Sequence, residues 1–380
     1  MKDIEIISDI TNIRVKVFTH NDLDGVSCAL ALKRCYDLKR INFDFTFMSY
    51  NDISSLKTFI DINNEDGIKK YDYVFITDIN IASDNFHDYI QNPLRVFNAK
   101  LNDPARQNTS LFKKMFIIDH HKDSEKTFRN RVEEFFPIIE YYNDMTNCAA
   151  LQVFNFIESD QSREWARVTL GIHHPMYEDR KVWLRSYLEH VHNWDTFEWK
   201  NNGDIVARDL NLVFSNTKRS KFFVDQEQKN GLAFYFNKSE IALLNEVLEK
   251  IEKDYQKALA TSVVLDHINE FNVPYPDIQY IVIRSDENVS LICDKLKEDI
   301  INKKIYSRFN IKYIANISFK YGSISFRRIY DDIDLSKIAN IYGGGGHEFA
   351  AGCVLDGKNP LQMQRLIVPT LEKYGEPIKL

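Results

Sequence analysis

Four stretches of this chain place carboxylates and imidazoles where they could share a cation. They are His20-Asn21-Asp22-Leu23-Asp24-Gly25, a single Asp78, Asp119-His120-His121, and Asp195 at the end of His190-Val-His-Asn-Trp-Asp195. In the first, alternate side chains of an extended turn point the same way, so Asp22 and Asp24 can converge while Gly25 lets the chain enter a helix. Two carboxylates held within a few ångströms repel unless a cation lies between them. Asp78 sits in the apolar run Tyr73–Ile79, where an unpaired carboxylate is costly to bury; capping a following helix is the plain alternative. Asp119, His120 and His121 follow Met115-Phe116-Ile117-Ile118. Mixed oxygen and nitrogen ligation at the mouth of a buried strand suits Mn2+, Fe2+ or Zn2+ better than Ca2+ or Mg2+. Asp195 could add a carboxylate from another element, whereas His190 and His192 read as packing or supporting residues. Together the set suffices for two divalent ions about 3.5–4 Å apart, a pair that clamps a phosphate and lowers the pKa of a nearby water.

These residues need elements to carry them. Strands are predicted at Val15–His20, Phe43–Ser49, Tyr73–Ile79 and Lys114–Asp119, with a helix from Gly25 to about Leu38. Strands alternating with helices predict a parallel sheet, whose ligands gather at the carboxyl ends of the strands. Three of the four strands end in His20, Asp78, and Asp119 with His120, which puts the chemistry on one sheet edge. A helix starting near Thr146 as N-cap would bury Ala150, Val153, Phe154 and Ile157. The stretch 165–199 looks helical and aromatic, and 201–237 is polar with no clear assignment. Ser239–Ala260 reads as an amphipathic helix with Leu244, Val247, Leu248, Ile251 and Tyr255 on one stripe. It either leads into a second domain or lies on the surface of one large domain. Beyond it come a strand Ile278–Arg284, a helix Val289–Glu298, a hairpin of Tyr313–Phe319 and Ser323–Arg328, a helix Leu335–Ile341, the glycine run Gly343–Gly346 and a last strand Phe349–Leu355.

A chain of 380 residues with 44% hydrophobic and 27% charged content can bury two sizeable cores. Its net charge of −6, from 49 basic and 55 acidic residues, argues against coating long duplex nucleic acid, which needs a basic surface. A small phosphate substrate held by metal and a few local cations stays compatible. The five cysteines are scattered with no CxxC pair, which speaks against a disulfide framework or thiolate zinc site and suits a reducing cytosol. MKDIEIISDI lacks the basic-then-apolar pattern of a signal peptide, and no apolar run approaches the roughly 20 residues of a membrane span, so a cytoplasmic location is expected.

The four acidic and histidine stretches resemble motifs I to IV of the DHH phosphoesterases. Gly343-Gly344-Gly345-Gly346-His347, followed by Ala350-Ala351-Gly352, resembles the signature of the DHHA1 C-terminal domain. The HxDxDG form of the first motif and Trp194-Asp195-Thr196-Phe197 are most similar to the nano-RNase B type of oligoribonuclease and its cyclic-nucleotide phosphodiesterase relatives. The resemblance covers nearly the whole chain and implies an α/β protein. A parallel-sheet DHH catalytic domain would span 1–225, a linker with a connector helix 226–261, and a smaller α/β DHHA1 substrate-binding domain with a mixed sheet 262–380, with the active site in the cleft between the domains. It implies that His20 and Asp22 hold one Mn2+, that Asp24, His120 and Asp195 hold the other, and that Asp78 bridges them, with Mg2+ or Co2+ as alternative ions. His121 would contact the scissile phosphate or the leaving oxygen, and Asp119 would orient the histidines. His20 and Asp22 lie closer in sequence than in some family branches, which bears most on His20.

Four glycines let backbone approach a ligand closely and can aim N–H groups at an anion. The resemblance makes Gly344, Gly345, Gly346 and His347 a clamp for the terminal nucleotide, with Arg327 pairing with phosphate. Arg328 reads as a solvated neighbour on the opposite face, His173-His174-Pro175 as a surface turn, and His87 and His267 as residues without partners in sequence. The activity implied is metal-dependent hydrolysis of short oligonucleotides from an end, with cyclic mono-, di- or oligonucleotides as the alternative substrate. A pyrophosphatase would lack the glycine-rich C-terminal signature, and a mere nucleotide-binding module would not need every ligand. A homodimer is compatible with the sequence; the polarity of cleavage and the choice of RNA or DNA are not written in it.

Overall fold

A computed structural model describes residues 13–36, 41–49, 52–65, 71–81, 87–92, 114–128, 139–163, 166, 178–266, 278–356, 362, 365 and 366. The readings made at His173, His174, Pro175 and His267, and the expected end of the first helix at Leu38, lie outside these residues. The chain divides into two compact units, Met1–Leu244 and Asn245–Leu380.

The first unit is built on five parallel strands: β1 (Ile13–His20), β2 (Ile41–Met48), β3 (Tyr73–Thr77), β4 (Lys114–Asp119) and β5 (Ile139–Asn143), in the order β2-β1-β3-β4-β5. A parallel sheet is covered on both faces, so its inner strands are continuous apolar runs, and every residue of β3 is buried. Successive residues still serve opposite faces. Phe18, Val74, Ile76, Met115 and Ile117 pack with Leu56 and Ile60 of α2 (Ser54–Glu65). On the alternate positions, Phe75 and Phe116 stack with ring centroids 4.7 Å apart and meet Phe156 of α4 (Ala149–Glu158). Between β1 and β2 runs α1 (Leu23–Tyr36), and α3 (Lys122–Phe128) follows β4. Because β2 and β3 flank β1 on opposite sides, the winding reverses at the β1–β3 junction, which is where an open α/β sheet forms its crevice.

Four longer helices follow, α5 (Glu178–Asp195), α6 (Ile205–Ser215), α7 (Arg219–Glu227) and α8 (Lys238–Ala260), with a single helical turn, Trp199–Asn202, between the first two. The polar stretch 201–237 therefore contains two helices, the first started by Asp204, whose carboxylate accepts the Ala207 N–H. The helix expected near Thr146 begins instead at Ala149, with Cys148 as N-cap. Thr146 is occupied by Asp144, which accepts from its N–H at 2.9 Å and its hydroxyl at 2.5 Å.

The second unit carries a mixed six-stranded sheet, β10-β11-β9-β8-β7-β6, from β6 (Val263–Asp266), β7 (Gln279–Arg284), β8 (Ile311–Ser318), β9 (Ser323–Arg328), β10 (Gly345–Gly346) and β11 (Ala350–Val354). Only β7 and β8 run parallel among these pairs. Ile281, Ile283 and Ile314 pack under α9 (Val289–Ile301) and the end of α8, through Ile292, Leu296, Tyr255 and Ala258. Tyr280, Val282, Tyr313 and Phe326 pack on the other face, under α10 (Leu335–Ile341). Among the described residues, no helix is long and apolar enough to cross a membrane.

Candidate metal centre

Strand register brings the acidic and histidine residues to one edge. Thr19 pairs with Thr77, and Thr77 with Ile118. The next residue of each strand is therefore His20, Asp78 and Asp119, side by side at the β1–β3 crevice. The turn after β1 is closed by Gly25. A Cβ there would lie 2.2 Å from the His20 carbonyl oxygen, so only glycine fits. The Gly25 N–H donates to Asp22 Oδ1 at 2.9 Å, and Thr19 Oγ1 donates to the Gly25 carbonyl at 2.7 Å. The strand expected to run to Ile79 stops at Thr77, because Asp78 turns into the left-handed region with φ +54° while its N–H bonds the Ile118 carbonyl at 3.0 Å. A non-glycine residue held there stores about 1–3 kcal/mol, a strain found where a side chain has a fixed task.

The side chains converge. His20 Nδ1 lies 2.7 Å from Asp22 Oδ2 and 3.9 Å from Asp78 Oδ2. His120 Nε2 lies 3.3 Å from Asp78 Oδ1, 3.7 Å from Asp195 Oδ2 and 3.9 Å from Asp24 Oδ2. One ligand atom from each residue falls within 4.8 Å of the others in two triads, His20–Asp22–Asp78 and Asp24–His120–Asp195, and in the group Asp78–Asp119–His120–His121. Asp78 thus adjoins both triads. Asp195 reaches the group from the C-terminal end of α5. That helix is tied to α1 by the Ser27 hydroxyl and the Tyr187 phenol, 2.7 Å apart.

The electrostatics are those of a site short of positive charge. Among the described residues, the ion-pair partners of these carboxylates are histidines alone. Burial, then the charges of Asp24 and Asp22, hold the Asp78 carboxyl well above the usual carboxylate range. Burial and Asp22 push Asp24 up to about 6, and burial and Asp24 push Asp195 up to about 7 against the opposing His120. Burial also raises Asp22, but the hydrogen bond and charge of His20 outweigh it and leave Asp22 lowered. Burial lowers His120 and keeps its imidazole neutral, as a nitrogen ligand must be. Burial works the same way on His121, yet the 2.7 Å contact of its Nδ1 with Asp119 Oδ1 prevails and raises it.

Two buried oxygens, Asp78 Oδ2 and Asp119 Oδ2, have no hydrogen-bond partner among the described residues. Buried carboxylate oxygens without donors, crowded by like charge and flanked by a neutral imidazole, fit a divalent cation. The acidic and imidazole groups of this edge could hold one.

Other sequence candidates have different company. His190 Nδ1 sits 2.7 Å from Asp204 Oδ2, His192 Nδ1 accepts the Cys148 N–H at 3.3 Å, and His87 Nδ1 meets Gln91 Oε1 at 2.9 Å. In the second unit, Gly344–Gly346 enter the β10–β11 hairpin, where Gly345 pairs with Gly352 and Gly346 with Ala351. A Cβ at Gly344 would meet the Gly352 carbonyl at 2.1 Å, so that glycine is demanded by strand approach, whereas a Cβ at Gly345 would meet nothing within 4 Å. The exposed His347 ring stacks on Phe349 with centroids 5.5 Å apart. Arg327 donates to the Phe326 carbonyl at 3.0 Å and to Ser290 Oγ at 3.3 Å. Arg328 lies 2.9 Å from Asp331. Sequence reasoning missed the amides of Ala149 and Ala150, which donate to Asp24 at 2.8 and 2.9 Å. No side chain signals them, since every non-proline residue carries that group.

One sheet edge gathers all four motifs in chain order, and the glycine–histidine signature closes the second sheet; the chain resembles the DHH/DHHA1 phosphoesterases in both. Over 340 residues it is 25% identical to Oligoribonuclease NrnB of Bacillus subtilis (strain 168), an alignment covering 89% of this chain and 72% of that protein. Among solved structures, the pGpG-specific phosphodiesterase PggH from Vibrio cholerae gives a TM-score of 0.48 at 11% identity, over 96% of this chain and 100% of that one. A manganese-bound exonuclease RecJ gives 0.45 at 12% identity, over 96% and 90%. No protein-family profile matches the chain.

Proposed function

We propose that this chain is a metal-dependent phosphodiesterase that hydrolyses short oligonucleotides with the help of two divalent ions, Mn2+ foremost. The observation that carries the reading is Asp78, 2% exposed, adjoining both ligand triads and keeping one oxygen without a hydrogen-bond donor. The similarity to an oligoribonuclease across 340 residues supports the substrate class. In this reading His20 and Asp22 serve one ion, Asp24, His120 and Asp195 the other, and Asp78 both. Bound there, divalent ions would supply Lewis-acid charge to a phosphodiester and lower the pKa of a water beside it.

The protein's own groups do the rest. Asp119 fixes the Nδ1 edge of His121 and raises its proton affinity, which suits His121 to pass a proton to the leaving oxygen. Arg327, Gly344, Gly345, Gly346 and His347 are assigned to substrate binding. The open space beside Gly345 supports close approach of a ligand to the backbone there. Residues 1–225 would carry the chemistry and 262–380 the substrate contacts, joined through 226–261. The net charge of −6 favours short substrates over long ones. Five buried free cysteines suit a reducing cytoplasm.

The test is a hydrolysis panel on 5′-labelled dinucleotides, longer oligomers and cyclic dinucleotides with Mn2+, Mg2+ and Co2+. We expect Mn2+-dependent cleavage fastest on the shortest linear substrates. Faster turnover of a cyclic dinucleotide would move the substrate assignment to cyclic signals. Failure to hydrolyse any phosphodiester with any of the three ions would overturn the reading.

A further inference from the structure

Asp24 is held by a helix far from it in sequence. The Ala149 N–H donates to Asp24 Oδ2 at 2.8 Å and the Ala150 N–H to Asp24 Oδ1 at 2.9 Å, across 125 and 126 residues. These are the first two amides of α4, and its N-cap residue, Cys148, makes no side-chain cap bond. First-turn amides have no acceptor within their own helix. Here the acceptor is a carboxylate from the β1–α1 turn, and the positive end of the helix favours its charge. The Cys148 thiol also hydrogen-bonds to Asp24. Both Asp24 oxygens are thus engaged in a residue 2% exposed, while Oδ2 still lies 3.9 Å from His120 Nε2. Asp78 is the contrast, equally buried, with an oxygen that meets no donor among the described residues.

We infer that the first turn of α4 is the positioning device for Asp24, and that the Asp24–His120–Asp195 metal site depends on it while His20–Asp22–Asp78 does not. The inference rests on the metal reading above. What the contact supplies is geometry. Two rigid backbone donors hold the carboxylate in one orientation, which a flexible side-chain partner would not do as well.

The experiment is a Mn2+ titration of the metal-stripped full chain, with free Mn2+ read by electron paramagnetic resonance, on the wild type, Ala149→Pro and Ala149→Gly. Proline suits the first helical position, and Cys148 at ψ 159° is extended as a residue before proline must be. Ala149→Pro therefore keeps the helix and puts a ring CH2 where the Asp24 oxygen needs an N–H; Ala149→Gly keeps the N–H. We expect two binding steps in the wild type. Ala149→Pro should weaken one step at least about tenfold, the same step that Asp195→Asn, titrated alongside, weakens, and leave the other within about twofold, in the range of supporting-partner effects on metal sites. Ala149→Gly should leave both within about twofold. An ester in place of the Ala149 amide, which removes the N–H without adding a ring, carries the same expectation if Ala149→Pro fails to fold. Variants that weaken both steps alike, neither step, or the step that Asp195→Asn leaves unchanged would overturn this inference alone. A wild type that binds no Mn2+ would overturn the metal reading, and this inference with it.

Discussion

Asp195→Asn should stabilise the metal-free protein while impairing its response to metal. Burial and the neighbouring Asp24 push the Asp195 carboxyl up to about 7, from an ordinary value near 3.9. Moving a carboxyl from near 3.9 to about 7 corresponds to about 4 kcal/mol, at about 1.36 kcal/mol for each tenfold change in proton affinity. The sign follows from where the proton sits. A carboxyl whose folded pKa exceeds its unfolded one contributes stability that is full below about pH 4 and lost as pH rises through about 7. Asp24, pushed up to about 6, shares the same repulsion, so the two contributions overlap, and about 2–4 kcal/mol is the expected net for Asp195 alone. For a unit of this size, that corresponds to about 4–16 °C in Tm. The assay is scanning calorimetry in chelator at about pH 5 and pH 8. The wild type should melt lower at the higher pH; Asp195→Asn should flatten that fall and melt above the wild type at pH 8. Mn2+ should then raise the wild type more than the variant, because binding stabilises only the chain that keeps its ligands. A metal-free wild type equally stable at both pH values, or a variant melting no higher at pH 8, would refute the reasoning.

Asp78→Asn should lower kcat on a labelled dinucleotide by more than the roughly 10–100-fold typical of losing a supporting partner, and should abolish the rise of Tm with Mn2+. Asp119→Asn should lower kcat about 10–100-fold and move the alkaline limb of the pH–rate profile downward, because His121 loses the contact that raises its pKa; a loss uniform across pH would mean Asp119 only supports the fold. Gly344→Ala should destabilise the second unit by about 1–3 kcal/mol in chemical denaturation, since its Cβ would meet the Gly352 carbonyl at 2.1 Å. Gly345→Ala, with nothing within 4 Å, should change stability by no more than about 0.5 kcal/mol and raise KM for the dinucleotide.

Much of the architecture is legible in the chain because its cause is local. The apolar runs of β1, β3 and β4 announce buried parallel strands, and β9 and α10 begin and end where periodicity and the following glycines put them. Short or half-buried elements escape the same reasoning. β5 is five residues, four of them only partly buried, and β6 is four residues with no fully buried position. The start of α4 was also illegible, since Thr146 has the chemistry of a cap but spends it on Asp144.

Which side chains are available to bind a cation, and that His20, Asp78 and Asp119 follow apolar strands, can be read along the chain, because residue type and hydrophobic run are properties of neighbouring positions. That they meet is a consequence of folding. Register sets Thr19 beside Thr77 and Thr77 beside Ile118, a left-handed backbone turns Asp78 inward, and helix packing brings Asp195 within 3.7 Å of His120. Folding alone puts Asp24 in the grip of α4, because the gripping groups are peptide N–H donors, identical in nearly every residue and distinguished only by where the fold leaves them unpaired.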